Sequence, residues 1–317
     1  MTTPRGYNGA YTGDLRSLVH HIAGRMAKGK PIFLVGNSLG ANIMTKYLGE
    51  EGLAETLPPC VAGGASLGNP FVIDSSLVKF PFDVLMALGV KKIYVENARS
   101  LLPMKDAHSR HSLRKGLFAR TIAKFDDATA PMFIRNDPYY PFGVKVGYEN
   151  GGDQYWFDAS SYKHVQHISI PFLNLTAQDD FLVSKPSRNK LGYCLNNPNV
   201  MIVETRCGGH LGWQESPPPS SDSSGGGSSA ISSSWADVAT ADFFEAILQA
   251  NTEMTGTVVP DIAENRGIDL VVPPEAAVAA KMCKDGRPSL DDVDLKEKLQ
   301  RTKLEASSFS QTIQARL

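Results

Sequence analysis

Cysteine is scarce in this chain. Its 317 residues include only Cys60, Cys194, Cys207 and Cys283, with no paired spacing. That excludes a small disulfide-stapled scaffold and offers no zinc-ligand set; the four read as reduced thiols of an intracellular protein. Long apolar runs are also missing. No window reaches the ~18 uninterrupted apolar residues of a spanning helix, and the most apolar piece, Phe82 to Val90, is too short. The start, Met1-Thr2-Thr3-Pro4-Arg5-Gly6, lacks the apolar stretch of a signal peptide. Net charge is nearly absent, −1 from 32 Lys and Arg against 33 Asp and Glu. Such a balance gives no reason to expect nucleic acid or an anionic membrane surface as a partner. What is present, 42% hydrophobic and 21% charged residues, suits a soluble globular protein with one large α/β core.

Asp14 to Met26 carries Leu15, Leu18, Val19, Ile22 and Met26 on one helical face, and Lys28-Gly29-Lys30-Pro31 ends it. Ile32-Phe33-Leu34-Val35 is a continuous apolar run, as expected of a parallel strand buried on both faces. A helical pattern follows from Ala41 to Tyr47 and ends at Gly49. Cys60–Ala65, Ile170–Leu175 and Val200–Glu204 read as further strands. Strands alternating with helices predict an α/β class, a mostly parallel sheet with helices on both faces.

The texture changes from residue 73 to 161. Charged and aromatic residues mix through helical patterns at Leu77–Leu88, Val95–Leu102 and Leu113–Lys124, which predicts an inserted helical cap or lid. The core is then 1–72 plus 162–252. Residues 216–234, with Pro217-Pro218-Pro219 and Gly225-Gly226-Gly227, read as a disordered loop within it. Trp235 to Leu248 returns as a helix. Residues 253–317 read as a polar, flexible tail with a loose helix at Leu290–Phe309.

Gly36-Asn37-Ser38-Leu39-Gly40 lies between an apolar strand and an amphipathic helix. That is the context of a nucleophile elbow, a turn so tight that positions two before and two after the serine favour glycine. The turn lifts the Ser38 hydroxyl clear of the sheet and aims the Leu39 N–H at the place where an oxyanion would form. A bare Gly-x-Ser-x-Gly is common by chance; the flanking strand and helix give it weight.

A serine nucleophile needs a base, and the base an orienting carboxylate. The chain order in elbow folds is Ser, acid, His. Asp179 and Asp180 follow the strand that starts at Ile170, and neighbours in a loop point different ways, so only one can face the base. Among seven histidines, only His210, in Cys207-Gly208-Gly209-His210-Leu211-Gly212-Trp213, sits in a glycine-rich loop after a strand. His20 and His21 lie in the first helix, His108 and His111 in the cap, and His164 and His167 before the Ile170 strand.

These residues resemble the YheT-like branch of α/β-hydrolases, which includes plant embryogenesis-associated proteins, fungal medium-chain fatty-acid ethyl-ester synthase/esterases and animal phospholipase-type members. The resemblance runs through Thr3-Pro4-Arg5, Tyr11-Thr12-Gly13-Asp14-Leu15-Arg16, Gly36 to Asn42, Lys46 to Gly52, Phe125-Asp126, Ala177 to Asp180 and Gly208 to Gly212, and reaches about Ala250. It implies a triad of Ser38, Asp180 and His210, because the superfamily spacing of Asp, two residues and Val selects Asp180 and leaves Asp179 as a turn residue. It implies hydrolysis, or transfer to an alcohol, of carboxylic esters of medium-chain or lipid acids. Relatives carry a longer N-terminal part, with further strands and a loop supplying the second oxyanion N–H. The expectation is therefore a truncated sequence with N-terminal strands missing, in which Leu39 alone is nameable as oxyanion donor. Loss of one such donor costs ~100- to 1000-fold in kcat in a studied case.

The leading expectation is thus a serine esterase or lipase with no cofactor, no metal and a small-molecule or lipid ester as substrate. An alcohol O-acyltransferase uses the same triad, and a hydrolase-fold binding protein is the non-catalytic alternative. Phe80, Phe82, Leu85 and Leu88 of the cap fit an acyl-chain lining and plain packing equally well. Peripheral membrane contact is open. An intracellular location is favoured unless an anchor precedes Met1.

Overall fold

A computed structural model describes residues 8–25, 27, 30–98, 107–136, 144–148, 150–183, 197–214 and 234–255. The expected Ser/Gly/Pro loop up to residue 233, the tail beyond residue 255 and the helix at Leu290–Phe309 lie outside them. In chain order the elements are α1 (Gly13–Arg25), β1 (Ile32–Asn37), α2 (Leu39–Ala54), β2 (Val61–Leu67), α3 (Phe82–Glu96), α4 (Ala107–Leu117), α5 (Ile122–Thr129), β3 (Ile134–Asn136), β4 (Val144–Val146), α6 (Gly152–Ala159), β5 (Phe172–Ala177), β6 (Val200–Thr205) and α7 (Trp235–Thr255).

Four strands form one sheet in the order β1-β2-β5-β6, every neighbour parallel. The register aligns Asn37 with Leu67, Leu67 with Leu175, and Ala177 with Thr205. The loops after β1, β2, β5 and β6 therefore all leave from one end of the sheet, where open α/β sheets place their chemistry.

Helices pack on both faces. A Cβ on Gly63 would come within 2.8 Å of Ile247 on α7, and one on Gly64 within 3.0 Å of Leu48 on α2. Side chains alternate along a strand, so β2 is pressed from both sides by helices. The α2 face buries Met44, Tyr47 and Leu48 against Phe172, Ile170 and Val61. The α7 face buries Phe243 and Ile247 against Ala65, Leu173 and Leu175. Each such large apolar side chain contributes roughly 1.5–3 kcal/mol on burial.

Two elements differ from the sequence reading. The apolar run of β1 is an outer strand of this sheet, not one buried on both faces, and Val35 is 54% exposed. Composition alone cannot separate a central strand from an outer one. Helix α2 does not stop at Gly49 but runs on to Ala54. Gly49 and Gly52 sit there because the carbonyls of His164 and His167 press on them, leaving no room for a Cβ. Their role is close approach, not termination.

Between β2 and β5 the chain makes an insert with a core of its own. Tyr94, Phe125, Phe133, Tyr148, Tyr155 and Trp156 are buried together. Tyr94 meets Phe125 edge-on at 5.1 Å, and Phe133 meets Tyr155 at 4.9 Å. The helical pattern expected at Leu77–Leu88 begins only at Phe82, and Val95 continues the same helix.

A buried charge cluster ties this insert to the sheet. Lys46 on α2, 3% exposed, reaches Glu50 at 2.8 Å and Asp158 on α6 at 3.2 Å. Arg16 on α1 bonds Glu50 and Glu51, and the Tyr148 hydroxyl donates to Asp158 at 2.6 Å. Burial pushes the Lys46 pKa down, but the two carboxylates outweigh it and raise it. Three elements are thereby held in one arrangement.

Candidate active site

Ser38 stands between β1 and α2 with φ 52° and ψ −122°, an unusual backbone for a residue with a side chain. Two things hold it there. Its N–H donates to the Leu67 carbonyl at 2.8 Å, extending the ladder one step past β1. The turn then brings Ala41 so close to Gly36 that a Cβ would lie 2.7 Å from the Ala41 Cα. Gly40 behaves differently from expectation: nothing lies within 4 Å of where its Cβ would be, so the elbow demands glycine on one side only. Ser38 is half-buried, whereas Leu39 and Gly40 at the first turn of α2 are exposed.

His210 lies 172 residues away in sequence, yet its Nε2 is 2.7 Å from the Ser38 Oγ. Its Nδ1 is 2.9 Å from Asp180 Oδ2. The other oxygen, Asp180 Oδ1, accepts the N–H groups of Leu182 and Val183, each at 2.9 Å. Burial drives the Asp180 pKa up; the hydrogen bonds from His210 and these two amides outweigh it and lower the pKa. Asp180 is thus held as a carboxylate, and in this arrangement its charge faces the imidazole. Asp179 points elsewhere and accepts the Gly209 N–H at 2.8 Å, bracing the loop that carries His210. The two adjacent aspartates divide the work: one meets the ring, the other the backbone beneath it.

Two other histidines lie elsewhere in the fold. His20 approaches Glu51 at 3.4 Å on α1. His164 is buried beneath α2, and burial lowers its pKa well below the usual range.

Several positioning residues were not readable from the sequence. Gly68, at the end of β2 with φ +59°, has the His210 carbonyl 2.6 Å and the His210 Cε1 3.3 Å from where a Cβ would be. Any side chain there would push the imidazole away. Asn42, fully buried in the first turn of α2, donates to the Ala159 carbonyl at 2.6 Å and accepts the Ser161 N–H at 3.1 Å. Asn69 donates to Thr45 on α2 at 2.9 Å and accepts the Phe71 N–H. The signal in each case is a polar residue or glycine whose partner is remote in sequence, which no local pattern reports. Near the acid, Phe82 of the insert packs at a tilt against Phe181, 5.0 Å between ring centres.

No protein-family model matches the chain. Curated relatives do. It is 36% identical over 225 residues to a monoacylglycerol lipase of Saccharomyces cerevisiae, covering 67% of this chain and 44% of that protein. It is 31% identical to the embryogenesis-associated protein EMB8 of Picea glauca (67% of this chain, 44% of that one) and 31% identical to the phospholipase ABHD3 of Mus musculus (68% and 48%). The chain spans about half the length of the curated relatives it matches.

Proposed function

We propose that this chain, which belongs to the α/β-hydrolase superfamily in the branch of those relatives, hydrolyses carboxylic esters of medium-chain or lipid acids through Ser38, His210 and Asp180. The observation that carries the reading is the unbroken line of hydrogen bonds from Ser38 Oγ through both ring nitrogens of His210 to Asp180. A serine hydroxyl is a weak nucleophile until a base within hydrogen-bond reach can take its proton. As Ser38 Oγ attacks the ester carbonyl, His210 Nε2 accepts that proton, and Asp180 stabilises the resulting imidazolium. The carbonyl oxygen becomes an oxyanion at the first turn of α2, where the Leu39 N–H is unclaimed by the helix and the helix dipole favours negative charge. His210 returns the proton to the departing alcohol, leaving an acyl group on Ser38. Water, activated by the same histidine, then releases the acid. No metal or cofactor enters this scheme.

The lipid character of the substrate is supported by the relatives, of which one is a monoacylglycerol lipase and another a phospholipase. Turnover of a medium-chain monoacylglycerol and of p-nitrophenyl octanoate, compared with Ser38→Ala, tests it. Release of free fatty acid by the unaltered chain and none by the variant is the expected result. Equal release by both would end the proposal.

A further inference from the structure

We propose that Thr205 is a positioning residue for this reaction: its hydroxyl pins both ends of the loop that carries His210 and so sets the imidazole between Ser38 and Asp180. The proposal rests on the esterase reading for its purpose; the positioning itself is argued from hydrogen bonds and burial. Thr205 is the last residue of β6 and stands opposite Ala177 of β5, three positions before Asp180. Its own carbonyl accepts the Gln178 N–H at 2.8 Å. The acid loop and the base loop therefore leave the sheet from one rung.

The base loop is Cys207-Gly208-Gly209-His210-Leu211-Gly212-Trp213, and one atom, Thr205 Oγ1, meets both its ends. It accepts the Trp213 indole N–H at 2.9 Å and donates to the Cys207 carbonyl at 2.9 Å. The Thr176 carbonyl lies farther, at 3.3 Å. A hydroxyl has one proton and two lone pairs, so it can donate at one end of the loop while it accepts at the other. Within the loop the Gly208 carbonyl accepts the N–H groups of Gly212 at 2.9 Å and Trp213 at 3.2 Å. The indole presses so closely on Gly208 that no Cβ fits there.

Trp213 is held from below as well. It is 5% exposed and packs with Leu175, Ala177, Ala236 and Phe243. Its carbonyl accepts the Trp235 N–H at the start of α7, at 2.8 Å. Its φ of 45° is one that a residue with a side chain keeps only when its surroundings impose it. Without the Thr205 hydroxyl this buried indole loses its acceptor and the Cys207 carbonyl loses its donor, so the closed form of the loop is no longer favoured. The 2.7 Å reach from His210 to Ser38 tolerates little of such relaxation, since a misplacement of about 1 Å can cost ~100-fold in rate. Asp179 still restrains Gly209 from the acid loop, so the expected loss is partial.

The test compares Thr205→Val, which keeps the shape and removes the hydroxyl, with Thr205→Ser, which keeps the hydroxyl, in the full chain. In Thr205→Val, kcat on p-nitrophenyl octanoate should fall by roughly 10- to 100-fold with KM within about twofold. Thr205→Ser should recover most of that loss. Without substrate, the low-field proton resonance of His210 Nδ1–H bonded to Asp180, identified by its loss in His210→Ala, should persist in Thr205→Ser and broaden or vanish in Thr205→Val. Trp213→Phe, which keeps a buried ring and lacks the N–H, should behave as Thr205→Val does, and it replaces that variant if circular dichroism shows Thr205→Val unfolded. Unchanged kcat and resonance, a change in KM alone, Thr205→Ser no better than Thr205→Val, or failure of both Thr205→Val and Trp213→Phe to fold would each overturn the proposal. If the parent turned over no ester while the resonance behaved as expected, the esterase reading would fail and the positioning of His210 would stand.

Discussion

At the strand ends, polar side chains are paired: buried His210 lies between Ser38 and Asp180, buried Asn42 meets Ala159 and Ser161, and the exposed Asp179 takes the Gly209 N–H. In the insert the arrangement is inverted. Its own core is apolar and aromatic, yet Phe80, Leu85, Leu88 and Phe118 face outward. The first region fixes geometry, because a paired buried group has few alternatives of similar energy. The second offers surface, because an exposed apolar side chain gains most when something covers it. The two regions meet at Phe82 and Phe181 and through the Lys46 cluster.

The comparison breaks first at the two aspartates. Asp180→Asn should lower kcat by about 10⁴-fold, as loss of a triad acid does. Asp179→Asn should cost far less, since an amide oxygen can still accept the Gly209 N–H. If Asp179→Asn were the more damaging, the division of roles between them would be wrong.

Lys46→Met should be the most destabilising change, by about 3–5 kcal/mol in urea unfolding, because it takes from buried Asp158 the cation at 3.2 Å and leaves Glu50 with Arg16 alone. A loss under ~1 kcal/mol would mean that the cluster does not join the two regions.

Asn42→Ala should follow, at about 1–3 kcal/mol for two stranded backbone groups. Its sharper signature is kinetic: a fall in kcat of roughly tenfold to a hundredfold with little change in KM, as when a nucleophile is slightly misplaced. A change in KM alone would place Asn42 in substrate binding instead.

The smallest effect lies in the insert core. Burial raises the Asp126 carboxyl to about 7, against a weak opposing bond from Trp156. Between about pH 4 and 7 the folded chain therefore keeps a proton that the unfolded chain has released. Stability contributed by this group is present below that window and lost as pH rises through it. Asp126→Asn should raise the melting temperature by a few degrees at pH 8 and hardly at pH 4. An equal change at both values would show that Asp126 does not titrate in this way.

The contrast also explains what the sequence revealed. The residues that the hydrogen-bond line joins were each marked by a local pattern: Ser38 by a strand–turn–helix with glycine, His210 by a glycine-rich loop after a strand, and Asp180 by a strand end that offered Asp179 as well, the family spacing choosing between them. Gly68 and Asn42 were not, because the groups they meet lie 142 and 117 or more residues away. The outer position of β1 was hidden for a related reason, since pairing order is not written in a strand's own composition.

The central claim is that Ser38 is a nucleophile activated by His210. Reaction of the purified chain with a fluorophosphonate, with the modified peptide identified by mass spectrometry, tests this most directly. The account predicts a single adduct on Ser38, lost in Ser38→Ala and reduced to background in His210→Ala. An adduct that persists undiminished in Ser38→Ala, or labelling of Ser38 that does not depend on His210, would contradict it.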